Sequence, residues 1–239
     1  MKKRALKNKA LKQKRLVVLS LGGSIIMPGK VDVDFLSRFR RLILDRVRKH
    51  KERFIIVCGG GKVCREYIKA AKKLGCKSYY ELDRLGIKVT NVNSELLRAI
   101  FGKYAYKDVV LDYNRKVKFS HILIGSGYLP GTSTDYDAVM LAITNNSKAV
   151  INLSNIKYVY TKDPRKYKSA RRIKDISWDD FEKIVGGKFK SGMNLPFDPI
   201  ASRKAQKKGI NVAVLKGTDI KNLKNFLDGK KFSGTLIHS

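Results

Sequence analysis

Leu16–Ser24, L-V-V-L-S-L-G-G-S, is an apolar run of strand length that ends in paired glycines. The same pattern returns at Phe54–Lys62, F-I-I-V-C-G-G-G-K, and at His121–Asp135, H-I-L-I-G-S-G-Y-L-P-G-T-S-T-D. Each reads as a buried strand delivering a small-residue loop to the start of a helix. Such a loop suits phosphate, because glycine removes the Cβ and a helix N-terminus offers unpaired N–H donors and partial positive charge. One loop says little. Three in one chain imply several phosphates held together, as when a phosphoryl group moves between two nucleotides.

Working outward, strands alternate with amphipathic helices almost from end to end. Asp34 is placed to cap a helix carrying Phe35, Phe39, Leu42, Ile43 and Val47 at helical spacing. The next helix sets Val63, Tyr67, Ala70, Ala71 and Leu74 on one side, and another, from about 83 to 104, carries Leu85, Val89, Val92, Leu96 and Ile100. Strands are predicted at 108–112, 118–125 and 148–153, with a helix of Ala138, Leu141 and Ala142 between the last two. Further on, Ser177 and Asp180 suit a helix start and Gly186-Gly187 its end. Asp198-Pro199 opens a helix with proline in its first turn, followed by a strand at 210–215, a helix at 220–227 and a last strand at 235–237. Repeated βα units predict an α/β, three-layer αβα sandwich with a mostly parallel sheet. The division expected is a basic extension over 1–15 and a single domain over 16–239.

The chain has 239 residues, 52 basic against 20 acidic, a net charge of +32. That balance favours anionic ligands, and it leaves nucleic-acid binding open through the tail of Lys2, Lys3, Arg4, Lys7, Lys9, Lys12, Lys14 and Arg15. The basic residues are dispersed and no aromatic RNA-binding motif accompanies them, so a solvated basic surface is the preferred reading. No apolar run approaches the ~20 residues that span a bilayer, and the N-terminus lacks a signal-peptide pattern, so a cytoplasmic protein is expected. Cys58, Cys64 and Cys76 match no zinc spacing, and three scattered histidines, His50, His121 and His238, give no support for a hydrolase triad.

G-G-G-K-V is not a P-loop, since Val63 stands where that motif needs Ser or Thr, and no G-x-G-x-x-G follows the first strand. The ordered set S-L-G-G-S, G-G-G-K-V-C-R-E-Y, L-D-R-L-G-I, L-P-G-T-S-T-D, L-S-N-I-K-Y-V-Y-T-K-D-P and F-D-P-I-A, spread from about residue 16 to 237, resembles the amino acid kinase superfamily. Within it the set is most similar to the uridylate (UMP) kinases of archaeal type. The related isopentenyl phosphate kinases carry a histidine after the second glycine loop, where this chain has Arg65 and Tyr67.

The resemblance implies ATP-dependent phosphorylation of UMP to UDP, with Mg2+ accompanying ATP and a homo-oligomer, a hexamer in that family. It implies an acceptor side in the N-terminal half and a donor side in the C-terminal half. UMP would meet Gly60, Asp83 at its ribose, and Tyr128, Leu129, Pro130, Gly131, Thr132, Ser133 and Thr134 at its phosphate. ATP would meet Gly22, Gly23, Ser24, Gly61, Arg65, Ser154, Asn155, Tyr160 and Asp163. Arg65, Asp135 and Asp198 would form the catalytic set, Arg65 by clamping phosphates and the aspartates by organising the transfer site. No protein metal ligand is assigned. Each aspartate also suits an ordinary helix cap, and Tyr160 suits a core position.

Two positions depart from the family pattern. Ser20 stands where many members have a lysine, which leaves Arg65, another lysine such as Lys62 or Lys190, or Mg2+ to supply cationic charge; Lys157-Tyr158 replaces an Asp-Gly pair beside the expected donor site. Kinases of another small phosphate or carboxylate, and a non-catalytic nucleic-acid-binding protein on the same fold, are the alternative readings.

Overall fold

The computed structural model describes residues 16–186 and 195–239. The basic tail, Gly187 and Lys190 therefore lie outside the described residues. The strands are β1 (Leu16–Leu21), β2 (Arg53–Cys58), β3 (Ile122–Gly125), β4 (Ala149–Ser154), β5 (Val159–Tyr160), β6 (Arg172–Ile173), β7 (Asp175–Ser177), β8 (Asn211–Lys216) and β9 (Thr235–His238). The helices are α1 (Gly23–Ile26), α2 (Val33–His50), α3 (Gly61–Lys73), α4 (Tyr79–Phe101), α5 (Thr134–Thr144), α6 (Trp178–Val185), α7 (Pro199–Lys207) and α8 (Ile220–Leu227).

Seven strands form one sheet in the order β3-β2-β1-β4-β8-β9-β7, and β5 pairs with β6 separately. From β3 to β8 every pairing is parallel; β9 runs antiparallel to β8, and β7 is parallel to β9. Alternation along the central strands builds the two cores. Leu19, Leu21, Phe54, Ile56 and Leu153 face α2 and α8, while Val18, Ile55, Val57, Val150 and Val212 face α5, α6 and α7. The chain winds outward from β1 through β2 to β3, then returns to β4 on the other side of β1. That reversal opens a crevice at the carboxyl ends of β1, β2 and β4, where open α/β sheets bind ligands.

Several local expectations need correction. The strand over 108–112 shrinks to a single bridge between Val110 and Gly125, and the strand expected over 118–125 begins only at Ile122. Asp32, not Asp34, caps α2 by accepting from the Phe35 amide, which leaves Asp34 in the first turn beside the helix dipole. Helix α4 starts at Tyr79, capped by Ser78, and ends at Phe101.

A further correction concerns which way α4 faces. Its buried residues include Gly86, Thr90, Asn93 and Ser94, whereas Val92, on the apolar stripe, is 68% exposed. The polar stripe turns inward because it holds the glycine loops. Asn93 Nδ2 donates to Gly59 O (2.9 Å), Thr90 Oγ1 accepts from Gly127 N (3.1 Å), and Ser94 Oγ donates to Gly125 O (3.0 Å). Helix α3 buries no residue, and its Tyr67 and Leu74 stay exposed.

Candidate active site

The first two glycine loops interlock. Gly22 N donates to Leu153 O (2.9 Å) and Gly59 N to Leu21 O (3.0 Å), which ties both loops to neighbouring strand ends. Gly23 lies so close to the second loop that a Cβ there would collide with the Gly59 carbonyl and the Gly61 amide. Gly61, at φ +68°, occupies the left-handed region that glycine adopts without strain. The third loop closes on the same place: a Cβ built on Gly59 would stand 3.1 Å from Gly23 N and 3.4 Å from Thr134 Oγ1. The three sequence-distant loops therefore share one location.

A cleft opens there, lined by Gly60, Gly61, Arg65, Asp83, Thr132, Ser133, Thr134, Asp135 and Asp198 among others. Arg65 is exposed on the first turns of α3 and is the one cation among the described residues that line it. Leu129–Thr132 makes a turn in which Thr132 N donates to Leu129 O (3.3 Å), with Pro130 and then Gly131 at φ +83° in the middle. Proline followed by a positive-φ glycine is the chemistry of a type II turn. Asp83 reaches across from α4, and its Oδ2 accepts from Gly131 N (2.7 Å). Asp83 is thus neither a helix cap nor idle; it braces the tip of the third loop.

Ser133 caps α5, and Asp135 sits in the first turn, so Asp135 is not the cap either. Ser20 Oγ donates to Asp135 Oδ1 (2.7 Å), and Asp198 N to Asp135 Oδ2 (3.3 Å). Removal from water, aided by the nearby Asp198 charge and opposed by those two donors, pushes the Asp135 carboxyl up to about 6. Ser20 therefore supplies a hydroxyl that fixes an acid rather than the cation many relatives have there. Asp198 does cap α7: its Oδ1 accepts from Ala201 N (2.9 Å) while Oδ2 is buried with no hydrogen-bond partner.

The donor-side residues are less gathered. Ser154, at the end of β4, has its Cα 3.8 Å from where a Gly22 Cβ would stand. Asn155, Tyr160 and Asp163 do not line the cleft, and the Asp163 carboxylate is forked to Arg165 (3.0 and 3.1 Å). That pairing holds the Asp163 carboxyl below the usual aspartate range. Tyr158 is buried, edge-on to Tyr160 and beneath the Arg172 guanidinium, while Lys157 is exposed. The bulk that replaces glycine at this point is thereby turned into the protein. Thr90, Asn93 and Asp137 were not singled out by sequence. The only signal for the first two was an otherwise unexplained polar stripe on a helix whose apolar residues satisfy the periodicity elsewhere.

A mostly parallel sheet with three glycine loops meeting at its switch point is the architecture of a phosphate-binding α/β protein, and the sequence profile described as "Amino acid kinase family" matches residues 15–216. The chain belongs to the amino acid kinase family. Among similar curated proteins, the "Uridylate kinase" of Pyrococcus abyssi is 32% identical over 92% of this chain and 98% of its own. The "Uridylate kinase" of Methanospirillum hungatei is also 32% identical, over 92% of this chain and 94% of its own. The crystal structure of uridylate kinase from Archaeoglobus fulgidus superposes with a TM-score of 0.78 at 30% identity, covering 94% of this chain and 100% of that one.

Proposed function

We propose that this protein transfers the γ-phosphoryl group of ATP to UMP, giving UDP and ADP. The observation that carries the reading is the meeting of Gly23, Gly59, Gly61 and Thr134 beside Arg65, in a chain whose archaeal relatives are uridylate kinases. Phosphoryl transfer needs positioning and charge stabilisation more than covalent catalysis, and a phosphate nucleophile is already ionised at neutral pH. UMP phosphate would lie in the Tyr128–Thr134 loop with its ribose at Asp83. The ATP tail would lie over Gly22–Ser24 and Gly59–Gly61, with its adenosine towards Ser154, Asn155, Tyr160 and Asp163. Arg65 would bridge the two phosphates, and Asp135 and Asp198 would order the loop bases through Ser20 and the α7 cap. Mg2+ would arrive bound to ATP. Such an ion supplies charge neutralisation across phosphate oxygens.

A coupled assay offering ATP with UMP, CMP, AMP or isopentenyl phosphate tests the substrate. UMP should give the highest kcat/KM; activity confined to isopentenyl phosphate would overturn the assignment. Asp83→Ala should raise the KM for UMP about tenfold and change kcat little, because a ribose contact made in both ground and transition states is lost. An unchanged KM would remove Asp83 from the ribose.

We also read the protein as a cytoplasmic homo-oligomer, the number six resting on family resemblance alone. What supports self-association is the set of exposed apolar side chains around α3 and α4, with Tyr67, Leu74, Tyr79 and Val92 each more than half exposed. Among the described residues no helix is long and apolar enough to cross a membrane. Burying a charge at an apolar interface core is costly, so Val92→Glu should shift the sedimentation profile towards monomer. An unchanged profile would place the interface elsewhere.

A further inference from the structure

Asp137 has no role in the scheme above, yet it is 1% exposed and neither carboxyl oxygen has a hydrogen-bond partner. It lies in the first turns of α5, directly behind Thr134 and Asp135. An unpartnered buried carboxyl is among the costliest groups a core can hold, so its protonation state matters to everything packed against it.

The groups facing Asp137 can be named element by element. On its own helix Asp135 repels it, and at the head of α7 Asp198 does the same. From the segment before β3 comes Tyr113, whose ring packs edge-on to Tyr128 and Tyr136, and whose hydroxyl is pushed up to about 12 by desolvation first, then by Tyr136 and Asp137. From the third loop the Tyr128 amide is directed at Asp137 without reaching hydrogen-bond geometry. Strands β1, β3 and β4 contain no charged residue, and Arg53 of β2 is committed to Phe119. Of the groups that shift this carboxyl none is a cation: Asp135, Asp198 and the Tyr128 amide complete the set.

We propose that Asp137 is a positioning residue for the acceptor loop: as a neutral acid it leaves Tyr128 and the head of α5 seated as they stand, and as a carboxylate it draws the Tyr128 amide onto itself and pulls the loop out of place. Desolvation, reinforced by Asp135 and Asp198 and opposed by the Tyr128 amide, pushes its carboxyl up to about 8, so the proton is retained at neutral pH. An arriving phosphate dianion adds negative charge beside the same helix turn and strengthens the hold on that proton. Acceptor binding and proton uptake at Asp137 are then linked, with the proton favouring binding. The folded chain keeps this proton to higher pH than the unfolded chain does. Stability is therefore lost as pH rises from the ordinary aspartate value of 3.8 to about 8.

This inference rests on the kinase reading for the identity of the acceptor, and the test separates the two. UMP binding is measured by calorimetry at pH 7 and pH 9, in buffers of different ionisation enthalpy, for the wild type and Asp137→Asn. If only the protonated form binds, wild-type affinity falls about tenfold between those pH values, with proton uptake at pH 9. Asp137→Asn, uncharged at both, should show neither effect. Equal losses in both proteins, or none in the wild type, overturn the proposal. Independently of any ligand, the 13C carboxyl resonance that vanishes in Asp137→Asn should titrate near pH 8; a midpoint below 5 overturns the proposal outright. A wild type that fails to bind UMP at pH 7 counts against the acceptor assignment, and the carboxyl titration still decides the role of Asp137.

Discussion

Gly23→Ala should lower kcat/KM at least about a hundredfold for both substrates, since displacing a catalytic loop by an ångström is enough to cost that much. The added methyl has nowhere to go. It would meet the Gly59 carbonyl and the Gly61 amide, which are backbone atoms held by β2, by the Gly59 N–H to Leu21 carbonyl bond, and by Asn93. Relief requires the first and second loops to separate, which spoils the packing of amides against phosphate on both sides at once. The fold should survive, because the two cores lie elsewhere in the sheet. Gly29→Ala is the matched control: its Cβ would meet nothing within 4 Å, and turnover should be unchanged. If Gly23→Ala keeps wild-type rates with a cooperative melt, the two loops do not act as one phosphate cradle.

Arg65→Ala should lower kcat by about a hundred- to a thousandfold while the protein stays folded, a loss typical of removing one pre-positioned donor from developing charge. The argument is one of scarcity. Asp83, Asp135 and Asp198 line the cleft beside Arg65, the one cation among the described residues there. Two nucleotide phosphates cannot be drawn together against those carboxylates without cationic help. Arg65 is exposed and enters no ion pair among the described residues, so its removal leaves no orphaned partner and should cost little stability. Arg65→Lys should recover only part of the rate, because an ammonium cannot reproduce the planar fork that grips two oxygens. A loss below about tenfold for Arg65→Ala would transfer the role to Lys62, exposed in the same turn.

The layered architecture could be read from the chain because its strong signals are local. Apolar runs followed by Gly22-Gly23, Gly59-Gly60-Gly61 and Gly125-Ser126-Gly127 mark strand ends without knowledge of the rest, and the helix at 199–207 announces itself through Asp198-Pro199. Orientation could not be read that way. The periodicity of Leu85, Val89, Val92 and Leu96 pointed an apolar face inward, and the fold instead buries Thr90, Asn93 and Ser94, because loop carbonyls and amides need partners that valine cannot give. Val110 pairs at one point only because its neighbours follow the β3 edge too briefly to form a ladder.

Within the site, residues close in sequence stand together along the cleft, as Thr132–Asp135 do, since sequence neighbours stay neighbours. Contacts that join distant segments were opaque: Ser20 to Asp135, and Asp83 to Gly131, span 115 and 48 residues. Ser20 looked like a missing charge because a strand-end serine carries no sign of the acid it will meet. Asp137 looked like one more polar position in a helix start, and only packing reveals that it has no partner.

The most direct measurement is a crystal structure with UMP and a non-hydrolysable ATP analogue bound together. The account predicts the UMP phosphate within the Tyr128–Thr134 loop, the analogue's terminal phosphate against the amides of Gly23 and Gly61, and Arg65 touching both, with the reacting atoms in line. Nucleotides bound in separate places, or phosphates gripped by side chains away from the three glycine loops, would contradict it.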